Sequence, residues 1–173
     1  MTSIELVDYR FGPSAANRLE QARNPDRDGA LAALETFYYA LNNADLTALS
    51  EVWSHHPLAQ LNNPVGGIVR SGNEVVELYR TIFSGDLALS VSFGDAATYW
   101  WPEVAVFAGR ETGSYRDPAI EAEVPLSIRT TRVFGYDQDK ERWLQVHHHG
   151  SIDDPAALRA YQGAVRGPDP DRS

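Results

Sequence analysis

The second half of the chain most constrains its fold, because it reads as consecutive β-strands joined by short turns. Segments rich in Val, Ile, Thr, Phe, Tyr and Trp follow one another at residues 87–93, 96–101, 103–115, 122–134 and 142–150. Turn-forming residues separate them, among them Gly94-Asp95, Pro102 and Arg116-Asp117-Pro118. Consecutive strands with such short connections pair in antiparallel fashion. The pattern therefore predicts one antiparallel sheet.

The first half of the chain carries helical periodicity instead. One apolar series at helical spacing predicts a helix over about residues 28–42, with Asp28 as its cap: Leu31, Leu34, Tyr38 and Leu41. Asp45 fits the start of a second helix, and Ser71-Gly72-Asn73-Glu74 fits the capping box of a third. Asp154-Pro155 fits the start of a short C-terminal helix. Helices followed by a run of strands indicate an α+β fold, with the helices on one face of the sheet.

The length of 173 residues suits one domain with a single core. Residues 1–27 are polar and have no sustained period, so we expect an N-terminal arm. Residues 28–162 contain the periodic segments and form the predicted domain. Residues 163–173 end in Gly167-Pro168-Asp169-Pro170-Asp171-Arg172-Ser173 and are predicted to be a disordered tail.

Composition and charge exclude several classes of partner. The formal net charge of -9 gives no general electrostatic support for nucleic-acid binding. The absence of cysteine excludes disulfides, thiolate metal sites and cysteine nucleophiles. No apolar run approaches the roughly 20 residues of a membrane helix, and the N-terminus lacks a signal-peptide pattern, so we expect a cytoplasmic protein. There is no Gly-rich phosphate loop, and we predict no cofactor.

The last predicted strand holds three of the five histidines: His147, His148 and His149. Because side chains alternate across a strand, we expect His147 and His149 on one face with Trp143 and Gln145. We identify His147 and His149 as candidate acid–base residues, since histidine can move protons near neutral pH, and Gln145 as a candidate ligand contact. Hydrogen-bonded structural histidines are the alternative. Two histidines at this spacing can also hold a metal ion, but no third ligand is evident and no metal site is predicted.

Two sets of motifs resemble known proteins. The front half is similar to ketosteroid isomerase in Leu41-Asn42-Asn43-Ala44-Asp45-Leu46, Asn63-Pro64-Val65-Gly66 and Arg70-Ser71-Gly72. The back half resembles the association domain of calcium/calmodulin-dependent kinase II in Thr131-Arg132-Val133-Phe134, Arg142-Trp143 and Val146-His147-His148-His149. Both belong to the nuclear-transport-factor-2-like superfamily, which includes the SnoaL-like polyketide cyclases, and the similarity covers roughly residues 30–151. The resemblance implies a curved antiparallel sheet around a conical pocket closed by about three helices, usually in a homodimer.

The resemblance to ketosteroid isomerase does not extend to its catalytic residues. That enzyme has an aspartate base just before the Pro-Val-Gly segment, where this chain has Asn63, and an amide is not a useful base. Its oxyanion-binding tyrosine corresponds to Phe37, although Tyr38 and Tyr39 are adjacent. Its protonated aspartic acid corresponds to the neighbourhood of Thr130, where no carboxylate occurs. We therefore do not expect steroid isomerisation by that mechanism, and Asn63 is either a turn residue or a pocket contact.

The resemblance to the kinase association domain concerns arginines that hold small carboxylates. It places Arg110 and Arg132 at two of those positions and Gly150 at a third. Each arginine lies on the same face of its predicted strand as apolar residues. Its charge therefore needs an anion, a carboxylate partner or a water-filled cavity. Guanidinium groups bind carboxylates through two parallel hydrogen bonds. We expect a pocket for a small organic anion, and pairing of the arginines with Glu111 or another carboxylate is the alternative.

The expected pocket leads to two hypotheses of function. Its aromatic ligand contacts are predicted to be Phe37, Trp53 and Tyr79, and for Trp53 and Tyr79 the alternative is a core or dimer contact. The first hypothesis is a cofactor-free isomerase, cyclase or lyase, in which histidine moves protons and the arginines hold an anionic substrate. It requires the arginines to be unpaired inside the cavity. The second is a non-catalytic domain for ligand binding, dimerisation or assembly.

Overall fold

A computed structural model describes residues 3–85, 87–117 and 120–166 of the chain. The helices in these ranges are α1 (Arg27–Asn43), α2 (Leu46–Val52), α3 (Gly72–Ser84) and α4 (Pro155–Arg166). The strands are β1 (Ser3–Val7), β2 (Gln60–Asn62), β3 (Ile68–Arg70), β4 (Leu89–Trp101), β5 (Val104–Asp117), β6 (Ala122–Asp137) and β7 (Arg142–Ser151). None of the helices in these ranges is both long and apolar enough to span a membrane.

The strands form one sheet in the order β1-β4-β5-β6-β7-β2-β3. All neighbours pair antiparallel except β2 and β7, which are parallel. Helices α1, α2 and α3 contact the sheet from one side, which we call the inner face, and the opposite side is the outer face. The core lies between the helices and the inner face and includes Leu34, Phe37, Phe107 and Phe134, all fully buried. The α+β prediction is therefore confirmed.

The helix starts follow the predicted caps only in part. Asp26, two residues before the predicted cap, accepts a hydrogen bond from the backbone of α1, whereas Asp45 caps α2 as predicted. The capping box predicted for α3 is wrong, because Ser71 makes no side-chain capping bond. Its φ of 75° is left-handed, and a capping side chain needs extended backbone to reach the first turn. Gly72 instead fits closely against Ser54, whose carbonyl oxygen would lie 1.9 Å from an added Cβ.

The first of two β-bulges joins segments that were predicted as separate strands. Residues 89–93 of the first segment and all of 96–101 lie in the single strand β4, so the turn predicted at Gly94-Asp95 is wrong. The pairing with β5 shifts between Gly94 and Ala97, and Asp95 has a φ of 49°. An extra residue at such a position bends the strand without ending it. A turn and a bulge use similar residues, which is why the sequence suggested the wrong one.

The second bulge is at Val146 in β7. Val133 pairs with His147 and Phe134 pairs with Gln145, so Val146 has no partner on β6. One inserted residue reverses the alternation of side chains beyond it. The two halves of β7 therefore present residues to the inner face in opposite phases.

The N-terminal arm is wrongly predicted as irregular, because its first described residues form β1 at the edge of the sheet. Further along, Phe11 makes a bridge to Phe93 of β4, and a 3-10 turn follows at Gln21–Arg23. The carbonyl of Asn24 accepts a hydrogen bond of 3.0 Å from the indole of Trp143. The arm is thus part of the packed fold.

The C-terminal helix begins where Asp154-Pro155 predicted it. The Asp154 carboxylate accepts a hydrogen bond of 2.7 Å from the Ala157 amide. The helix continues to Arg166, beyond the predicted domain boundary at residue 162, so residues 163–166 are helical rather than part of a tail. The rest of the predicted tail, residues 167–173, lies outside the described residues.

Candidate functional site

A buried polar cluster occupies the inner face around Arg132, whose side chain is 1% exposed. Its Nη2 donates to Oε1 of Glu111 at 2.6 Å, its Nε to the hydroxyl of Tyr38 at 2.8 Å, and its Nη1 to Oε1 of Gln145 at 3.1 Å. The guanidinium lies over the ring of Phe37, with 3.7 Å between Cζ and the ring centroid. We call these residues the Arg132 cluster.

Three elements of the fold assemble this cluster. Strand β6 points Arg132 inward in phase with Phe134, as the periodicity predicted, and β5 contributes Glu111. Helix α1 contributes Phe37 and Tyr38, both fully buried. The hydroxyl that Phe37 lacks therefore comes from the next residue, and it donates to Glu111 at 2.7 Å. A tyrosine hydroxyl therefore lies one residue after the position that corresponds to the oxyanion-binding tyrosine of ketosteroid isomerase. This hydroxyl already donates to the carboxylate of Glu111.

Burial and the neighbouring groups together shift the pKa values of the tyrosines and of Arg132 in this cluster. It raises the pKa of Tyr38 well above the ordinary value and that of the neighbouring Tyr79 to about 12. Burial alone would lower the pKa of Arg132, but Tyr38 and Glu111 outweigh it and hold the pKa above its usual range. The tyrosines therefore keep their protons at neutral pH, and the Glu111 carboxylate balances the guanidinium charge.

Two side-chain nitrogen atoms beside Arg132 have no hydrogen-bond partner among the described residues: Nε2 of Gln145 and Nδ1 of His148. His148 is 3% exposed and pairs with Arg132 in the β6–β7 register. Its Nε2 lies 2.8 Å from Oγ1 of Thr130. Burial, then the charge of Arg132, holds the pKa of His148 well below its ordinary value, so the imidazole is neutral. Sequence reasoning missed His148 because the bulge that turns it inward has no local sequence signal.

The predicted acid–base residues lie on the outer face. His147 is half-buried and His149 is exposed, and both follow the bulge at Val146. The prediction that they share a face with Trp143 and Gln145 is therefore wrong. Burial and then the neighbouring His149 lower the pKa of His147. Their assignment to acid–base chemistry stays a prediction, and it now refers to the outer face.

Arg110 also lies on the outer face, so the prediction that it shares a pocket with Arg132 is wrong. The β5–β6 register pairs it with Arg129 and turns the next residue, Glu111, inward. Its Nη1 donates to Oγ of Ser127 at 3.0 Å and lies 3.9 Å from the Asp153 carboxylate. It lines a shallow depression of about 410 Å³ together with Arg129 and His149.

The remaining predicted contacts divide between turn and core. The Oδ1 of Asn63 accepts from the Val65 amide at 3.0 Å, which is a turn role. Trp53 is fully buried and bridges to Gln145, and its indole nitrogen has no partner among the described residues. Tyr79 is buried with its ring edge-on to Phe37. In the same ranges, no three His, Asp or Glu side chains come together as a metal site would require.

Helix α4 packs near Tyr115 at one end of the inner face. Tyr161 of α4 is 8% exposed, and its ring centroid lies 5.1 Å from that of Tyr115. The side chain of Gln162 donates to the carbonyl of Val65 at 2.9 Å. The Tyr115 hydroxyl has no partner among the described residues. Helix α4 therefore packs onto this end of the fold through Tyr161 and Gln162.

Comparison with known proteins gives a consistent answer. A sequence model of the SnoaL-like domain matches residues 30–155. A nuclear transport factor 2 (NTF2-like) superfamily protein from Salmonella enterica is similar in structure, with a TM-score of 0.60, 17% identity, and coverage of 69% of this chain and 84% of that one. A ketosteroid isomerase-like protein from Erwinia carotovora atroseptica has a TM-score of 0.58, 17% identity, and coverage of 73% and 95%. The association domain of CaMKII from C. elegans has a TM-score of 0.57, 16% identity, and coverage of 73% and 95%. No curated protein matches the sequence.

Proposed function

This chain belongs to the SnoaL-like domain family, and from that premise we propose that it binds a small organic molecule at the Arg132 cluster. The fold is the one adopted by NTF2-like proteins, with the sheet and helices around a shared interior. A fold of this kind hosts many unrelated activities, so the proposal depends on the residues of the cluster.

The unpartnered nitrogen atoms of Gln145 and His148 carry this proposal. Both side chains are nearly or fully buried and flank Arg132. Buried polar side-chain atoms almost always have a partner, and leaving one unpaired costs about 1–3 kcal/mol. The amide of Gln145 is a donor, and the neutral imidazole of His148 offers either a donor or an acceptor at Nδ1. A bound molecule with hydrogen-bonding groups would satisfy both positions.

We propose binding without chemical conversion. Proton transfer at neutral pH needs a group whose pKa lies near 7. The pKa values of Tyr38 and Tyr79 are raised, and that of His148 is lowered, all by burial first. Glu111 is engaged by both Arg132 and Tyr38. This arrangement supports a binding domain rather than the histidine-dependent enzyme, whose candidate residues lie on the other face.

Ligand-observed NMR would test the proposal with a mixture of small amides, lactones, enones and carboxylates. Gln145→Met removes the unpartnered donor while keeping the side-chain length, and Gln138→Met is the matched exposed control. Fragments that bind the wild type and the control but not Gln145→Met support the site. Binding that survives Gln145→Met, or no binding at all, contradicts it. Conversion of a bound fragment over hours would contradict the non-catalytic part.

Self-association through the outer face is a second candidate function. Four large apolar side chains of this face are exposed: Ile4 (67%), Leu6 (89%), Trp101 (43%) and Val104 (38%). The register continues this apolar surface across the sheet, from Ile4 through Tyr99, Val106 and Val133 to His147. Uncovered apolar surface of this kind is characteristic of interfaces. The C. elegans neighbour is an association domain, which is consistent with a homodimer here.

Light scattering coupled to size exclusion would test self-association. Val106→Asp places a charge in the middle of the apolar row, where the β5–β6 register pairs Val106 with Val133. Leu58→Asp is the matched control, since Leu58 is 73% exposed and belongs to a turn outside the strands of the sheet. A dimer in the wild type and control but a monomer in Val106→Asp supports the interface. A monomeric wild type would contradict it.

A further inference from the structure

We infer that Glu111 sets the ligand class of the interior site, so that uncharged molecules with hydrogen-bond acceptors bind and small carboxylates are excluded. The inference rests on the proposed binding function and deepens it. In this view Glu111 determines specificity, because it occupies the position that the carboxylate of a ligand would otherwise take on Arg132.

All three nitrogen atoms of the Arg132 guanidinium already donate to protein oxygens. A guanidinium binds a carboxylate through two parallel N–H bonds on one edge. The Nε donates to Tyr38 at 2.8 Å and Nη2 to Glu111 at 2.6 Å. The Nη1 donates to Gln145 at 3.1 Å, and Phe37 covers one flat side of the group. An incoming carboxylate would have to displace Glu111, whose side chain is 5% exposed.

No other cation compensates an anion at this site. Within the described part of the chain, Arg132 is the only buried arginine or lysine. Arg110 points away on the outer face. The position of Gly150 is filled by neighbours, since an added Cβ would lie 3.1 Å from Pro64 and 3.2 Å from Ile128. Moving an uncompensated carboxylate into such an interior is strongly unfavourable.

The groups that remain available are suited to uncharged acceptors. The Gln145 amide can donate to a carbonyl oxygen, and Nδ1 of His148 can do so in one tautomer. Two buried aromatic rings, Phe37 and Tyr79, pack edge-on in contact with this region. Amides, ketones and lactones have the matching chemistry, with a carbonyl acceptor on an apolar body.

Acetamide and acetate provide a matched pair of probes, because they share a shape and differ in charge. Thermal unfolding is measured with each probe against sodium chloride at equal ionic strength. Glu111→Ala removes the competing carboxylate, and the double variant Glu111→Ala/Arg132→Met removes the cation as well. We expect acetate at ten times its dissociation constant to raise the midpoint of Glu111→Ala by about 3–6 °C. The wild type and the double variant should not respond to acetate.

If Glu111→Ala does not fold by itself, refolding it in sodium acetate and in sodium chloride keeps the inference testable, because acetate should take the vacated position on Arg132 and restore the fold. Acetate stabilising the wild type would overturn the inference, as would a Glu111→Ala protein that neither responds to acetate nor refolds in it. Acetamide acting on the wild type tests only the proposed binding function. The two proposals can therefore fail separately. If acetamide does not raise the unfolding midpoint of the wild type but acetate raises that of Glu111→Ala, the result counts against the proposed function and still supports the role of Glu111.

Discussion

Replacing Arg132 by methionine should cost far more stability than replacing Arg132 and Glu111 together. Arg132→Met keeps an apolar stem over Phe37 but leaves the buried Glu111 carboxylate without its cation, and the oxygens of Tyr38 and Gln145 lose their donor. Removing one partner of a buried ion pair costs about 3–5 kcal/mol. A domain of this size has a total stability of roughly 5–15 kcal/mol, so the single variant loses a large fraction of it.

The double variant Arg132→Met/Glu111→Gln contains no buried charge, and its cost should be about 1–2 kcal/mol for the hydrogen bonds that are not remade. Urea unfolding followed by tryptophan fluorescence measures both, since the chain has 4 tryptophans. Arg80→Met is the control, because Arg80 and Glu77 form a pair with 57% and 61% side-chain exposure and exposed pairs contribute about 0–1 kcal/mol. If Arg132→Met costs less than about 1 kcal/mol, or the double variant costs as much as the single one, the ion pair is not the element that holds this interior together.

Three further outcomes test other parts of the structure. Burial lowers the folded-state pKa of His148, so the unfolded chain binds more protons than the folded one at acidic pH. The free energy of unfolding should therefore fall below about pH 6.5 by up to about 1.4 kcal/mol per pH unit. In urea titrations, His148→Gln should flatten this pH dependence, whereas the exposed neighbour variant His149→Gln should not. Deleting Val146 should leave a cooperative unfolding transition by circular dichroism, because Val146 has no partner on β6 and its removal keeps Gln145 and His148 on the inner face; loss of the cooperative transition on this deletion would contradict the bulge. Tyr161→Ala should lower the free energy of unfolding by about 2–3 kcal/mol. It should also speed hydrogen exchange of the α4 amides while the amides of β6 and β7 stay protected. Equally fast exchange in α4, β6 and β7 would contradict a helix that opens separately from the sheet.

More of the fold than of the candidate site could be predicted from the sequence. Strand and helix segments were recognisable because their periods differ, and the phase of Arg132 on β6 was correct for the same reason. The phase of His147 and His149 was wrong because a bulge is one residue inserted against a partner strand, and its position depends on pairing with β6. The pairing of Arg132 with Glu111 was an open alternative, since which face of β5 points inward depends on register and not on composition. Tyr38 is predicted as part of the apolar face of its helix, but its bond to Arg132 is not predicted, because adjacent aromatic residues on a buried helix cannot be ranked by pattern.

The edge strand β1 has a consequence for the order of folding. Ser3 pairs with Trp100, whereas β4, β5, β6 and β7 follow one another through short hairpin connections. Contacts between residues close in sequence form early, because little chain entropy is lost in closing their loops. The hairpins of β4 to β7 can therefore form first, and β1 can dock only onto a finished β4. Strand β1 therefore stays unpaired until β4 has been synthesised as far as Trp100, and β2 waits longer still for its partner β7, which ends at Ser151.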